Sequence, residues 1–200
     1  MQWFKGRWQL ILLLALFFLP TFAAMVMVFS DWRPDTFSNN GDLVQPAEQI
    51  NPEQWDNLYG EQPVLAGDWL LVMPRRSECA EDCLQVIDQL QRIRVALDRS
   101  IDRVQMVVLQ PTTAAEPVLP REIASEPGIF NLAATPALVE RLIAHEGNAM
   151  AAHIVDYRGF HVLRYAAPLD ASALLDDLEK LLRLAKEEAE RRAYEEAIEQ

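Results

Sequence analysis

Residues 69–83 read WLLVMPRRSECAEDC, and this stretch decides the fold. Its first five residues are all apolar and Pro74 closes the run, which predicts a strand buried on both faces of a sheet. A helix follows, with Ser77 as a candidate N-cap. The apolar positions of that helix recur at spacings of three and four residues, at Leu84, Ile87, Leu90, Ile93 and Leu97. Cys79 and Cys83 therefore lie at the turn from a central strand to the helix that packs on it.

The segments after this unit predict the rest of the domain. Residues 104–109 form a second buried strand, and a Thr-Pro pair at residue 135 begins a second helix. Residues 153–156 and 160–165 form an antiparallel hairpin, after which Asp170 caps a long last helix. The order β-α-β-α-β-β-α, with a right-handed crossover between the first two strands, is that of thioredoxin. We therefore predict an α/β, thioredoxin-like fold with an extended C-terminal helix.

Composition divides the chain around this domain. A transmembrane helix is predicted because residues 10–29 are apolar apart from Pro20 and Thr21, and a helix of this length can cross a hydrocarbon core of about 30 Å. After it, proline and Asn-Gly signals without periodicity predict a linker. At the C-terminal end, charged pairs at i,i+4 predict a solvated helical tail. The predicted segments are a cytoplasmic N-terminus (1–8), a transmembrane helix (9–29), a linker with a short helix (30–65), the thioredoxin-like domain (66–185) and a charged helical tail (186–200).

The charges beside the apolar run predict its orientation. Lys5 and Arg7 precede it, and the positive-inside rule then leaves the N-terminus in the cytoplasm. In a bacterium the chain is anchored in the inner membrane with its globular domain in the periplasm; in a mitochondrion the domain faces the intermembrane space. The alternative is a cleaved secretory signal, because residues 21–23 have the small-residue pattern of a cleavage site. The apolar run continues past that site to Phe29, which favours the membrane helix, and the domain is exported in both cases.

Charge and composition exclude several classes of protein. The chain has 18 Lys and Arg against 30 Asp and Glu, and two of the basic residues precede the apolar run, so the remainder carries a net charge of −14. We therefore expect no nucleic-acid partner. Two cysteines exclude a multi-disulfide framework and a four-cysteine zinc site. The sequence also contains no Gly-rich phosphate loop and no H-E-x-x-H motif.

Three interpretations of Cys79 and Cys83 are open. Free helix N–H groups and the neighbouring Arg75 and Arg76 favour thiolates, whereas the acidic residues around the pair oppose them. Within one helix the two Cα atoms would lie about 6 Å apart, so that a disulfide can form but is strained. The pair is a redox dithiol or a pair of Cu(I) ligands, a static bridge, or two incidental core residues.

The three histidines are candidates for a further metal ligand. His153 begins the third strand and is nearest in sequence to a loop that approaches the cysteines, so it is the first candidate. His145, at a helix end, is the second. His161 is expected to face solvent. The competing interpretation is that each histidine has a structural role, as is usual for a single histidine on a strand.

Five short segments of the sequence have a characteristic order and spacing. They are Gly67-Asp68-Trp69 at the strand entrance, the cysteines with residues 80–82 between them, residues 107–111, residues 132–136 before a helix, and residues 154–159. In this arrangement residues 66–184 resemble the Sco/SenC family, membrane-anchored thioredoxin-fold proteins that carry copper to cytochrome c oxidase subunit II. The resemblance implies Cu(I) as the metal, subunit II or another oxidase assembly factor as partner, and Cys79 and Cys83 as the functional pair.

The chain also departs from the pattern of that family. Ala80 stands where the family has Pro, and Gln110 stands where a strand end of the family carries Asp. Counted back from residue 154, the copper-binding His of the family falls at Asn148, with His145 and His153 as the nearest substitutes. The chain therefore resembles a divergent subgroup of short single-span proteins associated with bacterial oxidase assembly.

The leading hypothesis is a membrane-anchored protein that assists assembly or copper-site maturation of a respiratory cytochrome oxidase through Cys79 and Cys83. As a non-enzymatic copper chaperone, it binds Cu(I) through the pair, with His153 as third ligand, and hands the ion on. As a thiol-disulfide oxidoreductase, it reduces disulfides so that a partner can accept metal. The rival hypothesis is a non-catalytic scaffold, in which a static disulfide supports a surface that binds an assembly partner.

Overall fold

The computed structural model describes Trp8, residues 12–22, Met25 and residues 39–198, and the chain divides into two compact units, Met1–Ser38 and Asn39–Gln200. In the first unit, residues 12–22 form helix α1, whose large apolar side chains are exposed. Within the described residues, no helix has the length and apolarity needed to cross a membrane. The remaining parts of the predicted span 9–29 lie outside the described residues, so the span and its orientation stay predictions.

The second unit is built on an eight-stranded sheet with strand order β1-β8-β7-β3-β4-β5-β2, and β6 pairs with β7 beside this path. The strands are β1 (Asp42–Gln49), β2 (Asp56–Asn57), β3 (Trp69–Pro74), β4 (Val104–Pro111), β5 (Ile129–Ala134), β6 (Ala144–His145), β7 (Asn148–Val155) and β8 (Phe160–Ala166). The helices are α2 (Glu81–Ala96), α3 (Arg121–Ala124), α4 (Pro136–Ile143) and α5 (Ala171–Ile198), with 3-10 turns at Pro52–Gln54 and Asp98–Arg103.

Strand β3 lies in the middle of the sheet, as its continuous apolar sequence predicts. It pairs in parallel with β4 and antiparallel with β7, and all six of its residues are buried. The crossover from β3 to β4 runs through α2, and β7 and β8 form the expected antiparallel hairpin. The α/β, thioredoxin-like fold is thus confirmed.

The pleat of β3 divides the core between the two faces of the sheet. Successive side chains of a strand point to opposite faces. Trp69, Leu71 and Met73 belong to a cluster that includes both cysteines and the apolar sides of α2 and α5. Leu70 and Val72 belong to a second cluster, which includes the buried side of α4. We call these the α2/α5 face and the α4 face of the sheet.

The described residues contain four strands that the sequence does not predict: the two-residue strands β2 and β6, and the longer strands β1 and β5. Strand β1 lies within the predicted linker, where it pairs with β8 at the edge of the sheet. Strand β5 follows α3 and pairs in parallel with β4. Its sequence pattern is interrupted by a polar residue, Asn131, which is nevertheless fully buried and hydrogen-bonded. The short helix predicted within the linker is also wrong: this part of the chain forms only the 3-10 turn Pro52–Gln54 and the short strand β2.

The two long helices largely follow the predicted pattern. Asp170 caps α5, since its Oδ1 accepts hydrogen bonds from the backbone N–H groups of Ser172 (3.1 Å) and Ala173 (3.0 Å). Beyond residue 185 this helix is mostly exposed and carries i,i+4 ion pairs, as expected for a solvated tail. In α2, however, Leu84 is 37% exposed and Cys83 occupies the inward position instead.

Candidate dithiol site

Cys79 and Cys83 form a disulfide at the turn between β3 and α2. Helix α2 begins at Glu81, with Ala80 rather than Ser77 at its N-cap, so Cys79 lies before the helix and Cys83 in its first turn. The two Cα atoms are 5.2 Å apart, within the usual range for disulfides. The expectation of a strained bridge assumed that both cysteines lie in one helix, and the helix start after Cys79 removes that assumption.

The two sulfur-bearing residues differ in their access to solvent. Cys79 is 8% exposed and Cys83 is 1% exposed. Cys79 lines an open groove of about 510 Å³, whose other walls include Tyr59, Glu78 and the loop around Val118. Cys83 is not part of that lining and packs in the core of the α2/α5 face. An incoming reactant therefore meets Cys79 first.

Charge around the pair is dominated by carboxylates. The exposed side chains of Glu78, Glu81 and Asp82 lie on or beside the cysteine turn. Arg76, which the sequence offers as a cation for a thiolate, instead forms a double hydrogen bond with Glu140 of α4. That ion pair raises the pKa of Arg76 and lowers the pKa of Glu140. The positive charge at residue 76 is thus compensated, which leaves less electrostatic support for a thiolate than the sequence suggests.

Two buried amides, Gln110 and Asn131, support the loop beside Cys79, and neither was identified as functional from the sequence. The Oε1 of Gln110 accepts hydrogen bonds from the N–H of Val118 (2.7 Å) and from Nδ2 of Asn131 (3.0 Å). The Oδ1 of Asn131 accepts one from the N–H of Leu119 (3.0 Å). The carbonyl of Val118 in turn accepts the N–H of Cys79 (3.2 Å). Polar residues inside otherwise apolar strands were the available sequence signal.

The structure does not bring His153 to the cysteines. His153 lies opposite Val72 in the sheet and on the α4 face, where its Nε2 donates to the carbonyl of Leu142 (2.8 Å). A carbonyl only accepts, so Nδ1 of the neutral ring is an acceptor and takes the Nε2–H of His161 (2.9 Å). Both ring nitrogens of His153 are therefore occupied on the face of the sheet opposite to the disulfide.

The two histidines form a buried, uncharged pair. The exposed fractions are 1% for His153 and 4% for His161, so the expectation that His161 faces solvent is wrong. Burial lowers the pKa of His153 from 6.5 to about 3, and the neighbouring ring of His161 adds to the shift. Burial, followed by the charge of Arg164, lowers the pKa of His161 to about 4. A register shift in the β7–β8 pairing between Ile154 and Val155 places His161 opposite Val155, on the α4 face, and the sequence pattern does not show such a shift.

His145 and Asn148 face each other across the hairpin that joins β6 to β7. His145 lies 3.4 Å from the carboxylate of Glu146, and Asn148 is exposed. Among the residues that the structure describes, no three His, Cys, Asp or Glu side chains are grouped so as to hold a metal ion. The two cysteines are the only thiolate donors that the sequence offers to a soft metal.

The comparisons with known proteins agree with this architecture. Residues 69–185 match the family model described as the transmembrane-like, thioredoxin-like, C-terminal domain. The chain belongs to this family. Residues 4–31 of this transmembrane-like, thioredoxin-like protein match the companion model, the transmembrane-like N-terminal domain. No curated protein matches the chain significantly.

Solved Sco1 structures share the fold of this family member. Apo Sco1 from Thermus thermophilus is 19% identical, with a TM-score of 0.53, and the match covers 74% of this chain and 99% of that protein. Yeast Sco1 is also 19% identical, with a TM-score of 0.52, and the match covers 70% of this chain and 97% of that one. The protein therefore has a Sco-like thioredoxin fold, at low sequence identity.

Proposed function

We propose that this protein assists copper-site maturation of a respiratory cytochrome oxidase through the Cys79/Cys83 pair. The observation that carries the proposal is the disulfide at the strand-to-helix turn, with Cys79 bordering an open groove. The Sco-like fold and the sequence landmarks shared with the Sco/SenC family support the oxidase as the target. The partner is subunit II or another assembly factor.

The proposed reaction is thiol-disulfide exchange. In the reduced protein, the thiolate of Cys79 attacks a disulfide of the partner, which forms a mixed disulfide and releases one partner thiolate. The thiolate of Cys83 then attacks the sulfur of Cys79, which closes the internal disulfide and releases the second partner thiol. Two electrons pass to the partner, whose cysteines are then free to bind copper, and an external dithiol reductant restores the reduced pair. Cys79 takes the first role because it is the residue at the groove.

Copper transfer by the same pair is the second mechanism under this proposal. Two thiolates are soft donors that suit Cu(I). The location of His153 on the opposite face of the sheet argues for a two-thiolate site without it. We therefore expect the reduced chain to bind Cu(I) more weakly than a site with two thiolates and an imidazole, and His153→Ala to leave the affinity unchanged in a chelator competition.

The proposed location is the inner membrane, with the thioredoxin-like domain in the periplasm. The support is the match of residues 4–31 to a transmembrane-like domain and the basic residues before the apolar run. An introduced cysteine at Gln2 should resist an impermeant thiol reagent added from the periplasmic side, whereas one at Ser38 should react. Labelling at residue 2 would contradict this orientation.

The burial of both cysteines favours a second candidate, a scaffold with a static disulfide. In that case the bridge only stabilises the fold. In the chain-entropy model, a disulfide that closes a loop of five residues raises the free energy of unfolding by about 2 kcal/mol.

Single substitutions in the cell distinguish the two candidates. If the pair is a dithiol, Cys79→Ser and Cys83→Ser each abolish oxidase assembly while the protein still accumulates, and the groove variant Ser77→Ala has no effect. If the bridge is static, oxidase activity falls only in proportion to the amount of protein. Normal oxidase activity per molecule in both cysteine variants refutes the dithiol proposal.

A further inference from the structure

We propose that Gln110 and Asn131 are positioning residues for the Cys79/Cys83 pair and set its redox equilibrium. This inference rests on the proposed dithiol function. The side-chain amides hold the segment from Glu116 to Leu119, and that segment holds the backbone of Cys79.

The amide cluster reaches the cysteine through an unbroken series of hydrogen bonds. Gln110 is 2% exposed and Asn131 is fully buried, on the neighbouring strands β4 and β5, where Asn131 pairs with Val108, two residues before Gln110. Gln110 binds the loop at two points, because Nε2 donates to the carbonyl of Glu116 (2.9 Å) and Oε1 accepts from Val118 (2.7 Å). Asn131 is itself fixed, since its Nδ2 donates to the carbonyl of Val108 in β4 (3.2 Å). The loop is thereby tied to the rigid centre of the sheet.

The hydrogen bond from Cys79 N–H to the Val118 carbonyl involves no sulfur atom, so cleavage of the disulfide does not itself remove it. Cys79 lies outside α2, in a segment without regular secondary structure. Its backbone bond to Val118 therefore keeps its thiol beside that of Cys83 in the reduced state. A high effective concentration of one thiol at the other favours the disulfide.

Loss of the amide support changes the redox equilibrium through the position of Cys79. A mobile Cys79 lowers the effective concentration of its thiol near Cys83, which makes the disulfide easier to reduce. We expect the equilibrium protein disulfide + 2 GSH ⇌ protein dithiol + GSSG to shift toward the dithiol.

The readout separates positioning from ordinary structural support. A side chain that only stabilises the fold contributes equally to the oxidised and reduced proteins, and by linkage it leaves the equilibrium constant between them unchanged. A change in the equilibrium constant with glutathione is therefore specific for positioning.

The test uses the full chain in detergent, equilibrated in glutathione buffers, with the reduced fraction measured by mass-tag alkylation. Gln110→Met removes the amide at nearly constant volume and should raise the equilibrium constant about tenfold, which corresponds to about 30 mV. The matched control is Gln105→Met, at the other end of the same strand, where the amide donates to the Asp68 carboxylate (2.9 Å); it should not shift the midpoint.

A milder variant keeps the test valid if Gln110→Met does not fold. Tyr59→Phe removes the hydroxyl that donates to the carbonyl of Leu119 (2.9 Å) and should shift the equilibrium in the same direction, about two- to threefold. Equal midpoints for wild type, Gln110→Met and Tyr59→Phe overturn the inference and leave the dithiol proposal intact. A wild-type disulfide that does not equilibrate with glutathione overturns both.

Discussion

The buried pair of His153 and His161 makes the stability of the domain sensitive to mild acid. Their pKa values in the folded protein are lowered to about 3 and about 4, against 6.5 for an ordinary histidine. Below pH 6.5 the unfolded chain therefore binds more protons than the folded one. The stability that this pair contributes is fully present above pH 6.5 and is lost as the pH falls toward the folded values.

The size of the effect follows from the width of this pH window. Each histidine lowers the free energy of unfolding by nearly 1.4 kcal/mol per pH unit once the pH is well below 6.5 and still above its folded pKa. Between pH 7 and pH 5 the two together account for about 3–4 kcal/mol. Few carboxylates titrate in this interval, because their ordinary pKa values lie near 4.

Urea unfolding of the full chain at pH 7 and pH 5 measures this difference directly. In His161→Gln the side-chain amide can still donate to Nδ1 of His153, so the fold is retained while one titrating group is lost. We expect the pH-dependent loss of stability to fall by about half in this variant. His145→Gln, which alters a histidine in an exposed hairpin, should behave as wild type. The same pH dependence in His161→Gln and wild type would refute the argument.

Three further predictions concern the disulfide and the last helix. In the reduced chain, iodoacetamide should alkylate Cys79 faster than Cys83, as read by mass spectrometry, because only Cys79 borders the groove. Urea unfolding of Cys79→Ser should show a loss of about 2 kcal/mol, and an unchanged midpoint would contradict a stabilising bridge. Asp177→Ala should lower the free energy of unfolding by about 2–4 kcal/mol, because this buried carboxylate accepts hydrogen bonds from the Tyr165 hydroxyl (2.8 Å) and from two backbone N–H groups. Asp176→Ala, at the exposed neighbouring position, should leave the free energy of unfolding nearly unchanged.

The sequence determined those parts of the fold whose signal is local. The apolar run from Trp69, the three- and four-residue spacing in α2, and the cap at Asp170 each depend on neighbours within a few residues. Burial on both faces requires a continuous apolar strand, and a helix requires one apolar stripe, so these patterns predict their elements reliably. The position of the two cysteines between strand and helix follows from the same local signals.

Strands β1 and β5 depended on partners distant in sequence. β1 has no apolar alternation of its own and is a strand because β8 offers it an open edge. In β5 the interior of a parallel sheet accepts Asn131, because Gln110 and the backbone of Leu119 satisfy its hydrogen bonds. A polar residue of this kind weakens the sequence signal of a strand although it strengthens the structure.

The candidate site also combines features that the sequence predicted with features that only the tertiary structure decided. Sequence alone named Cys79 and Cys83 as the candidate pair, because two thiols at a strand-to-helix turn are a local feature. Only the tertiary structure decided what surrounds them: it placed His153 on the opposite face of the sheet, paired Arg76 with Glu140, and brought Val118 to Cys79. Each of these contacts joins residues that are far apart in the chain. How close these residues lie in space is set by strand order and register, which no local pattern of residues encodes.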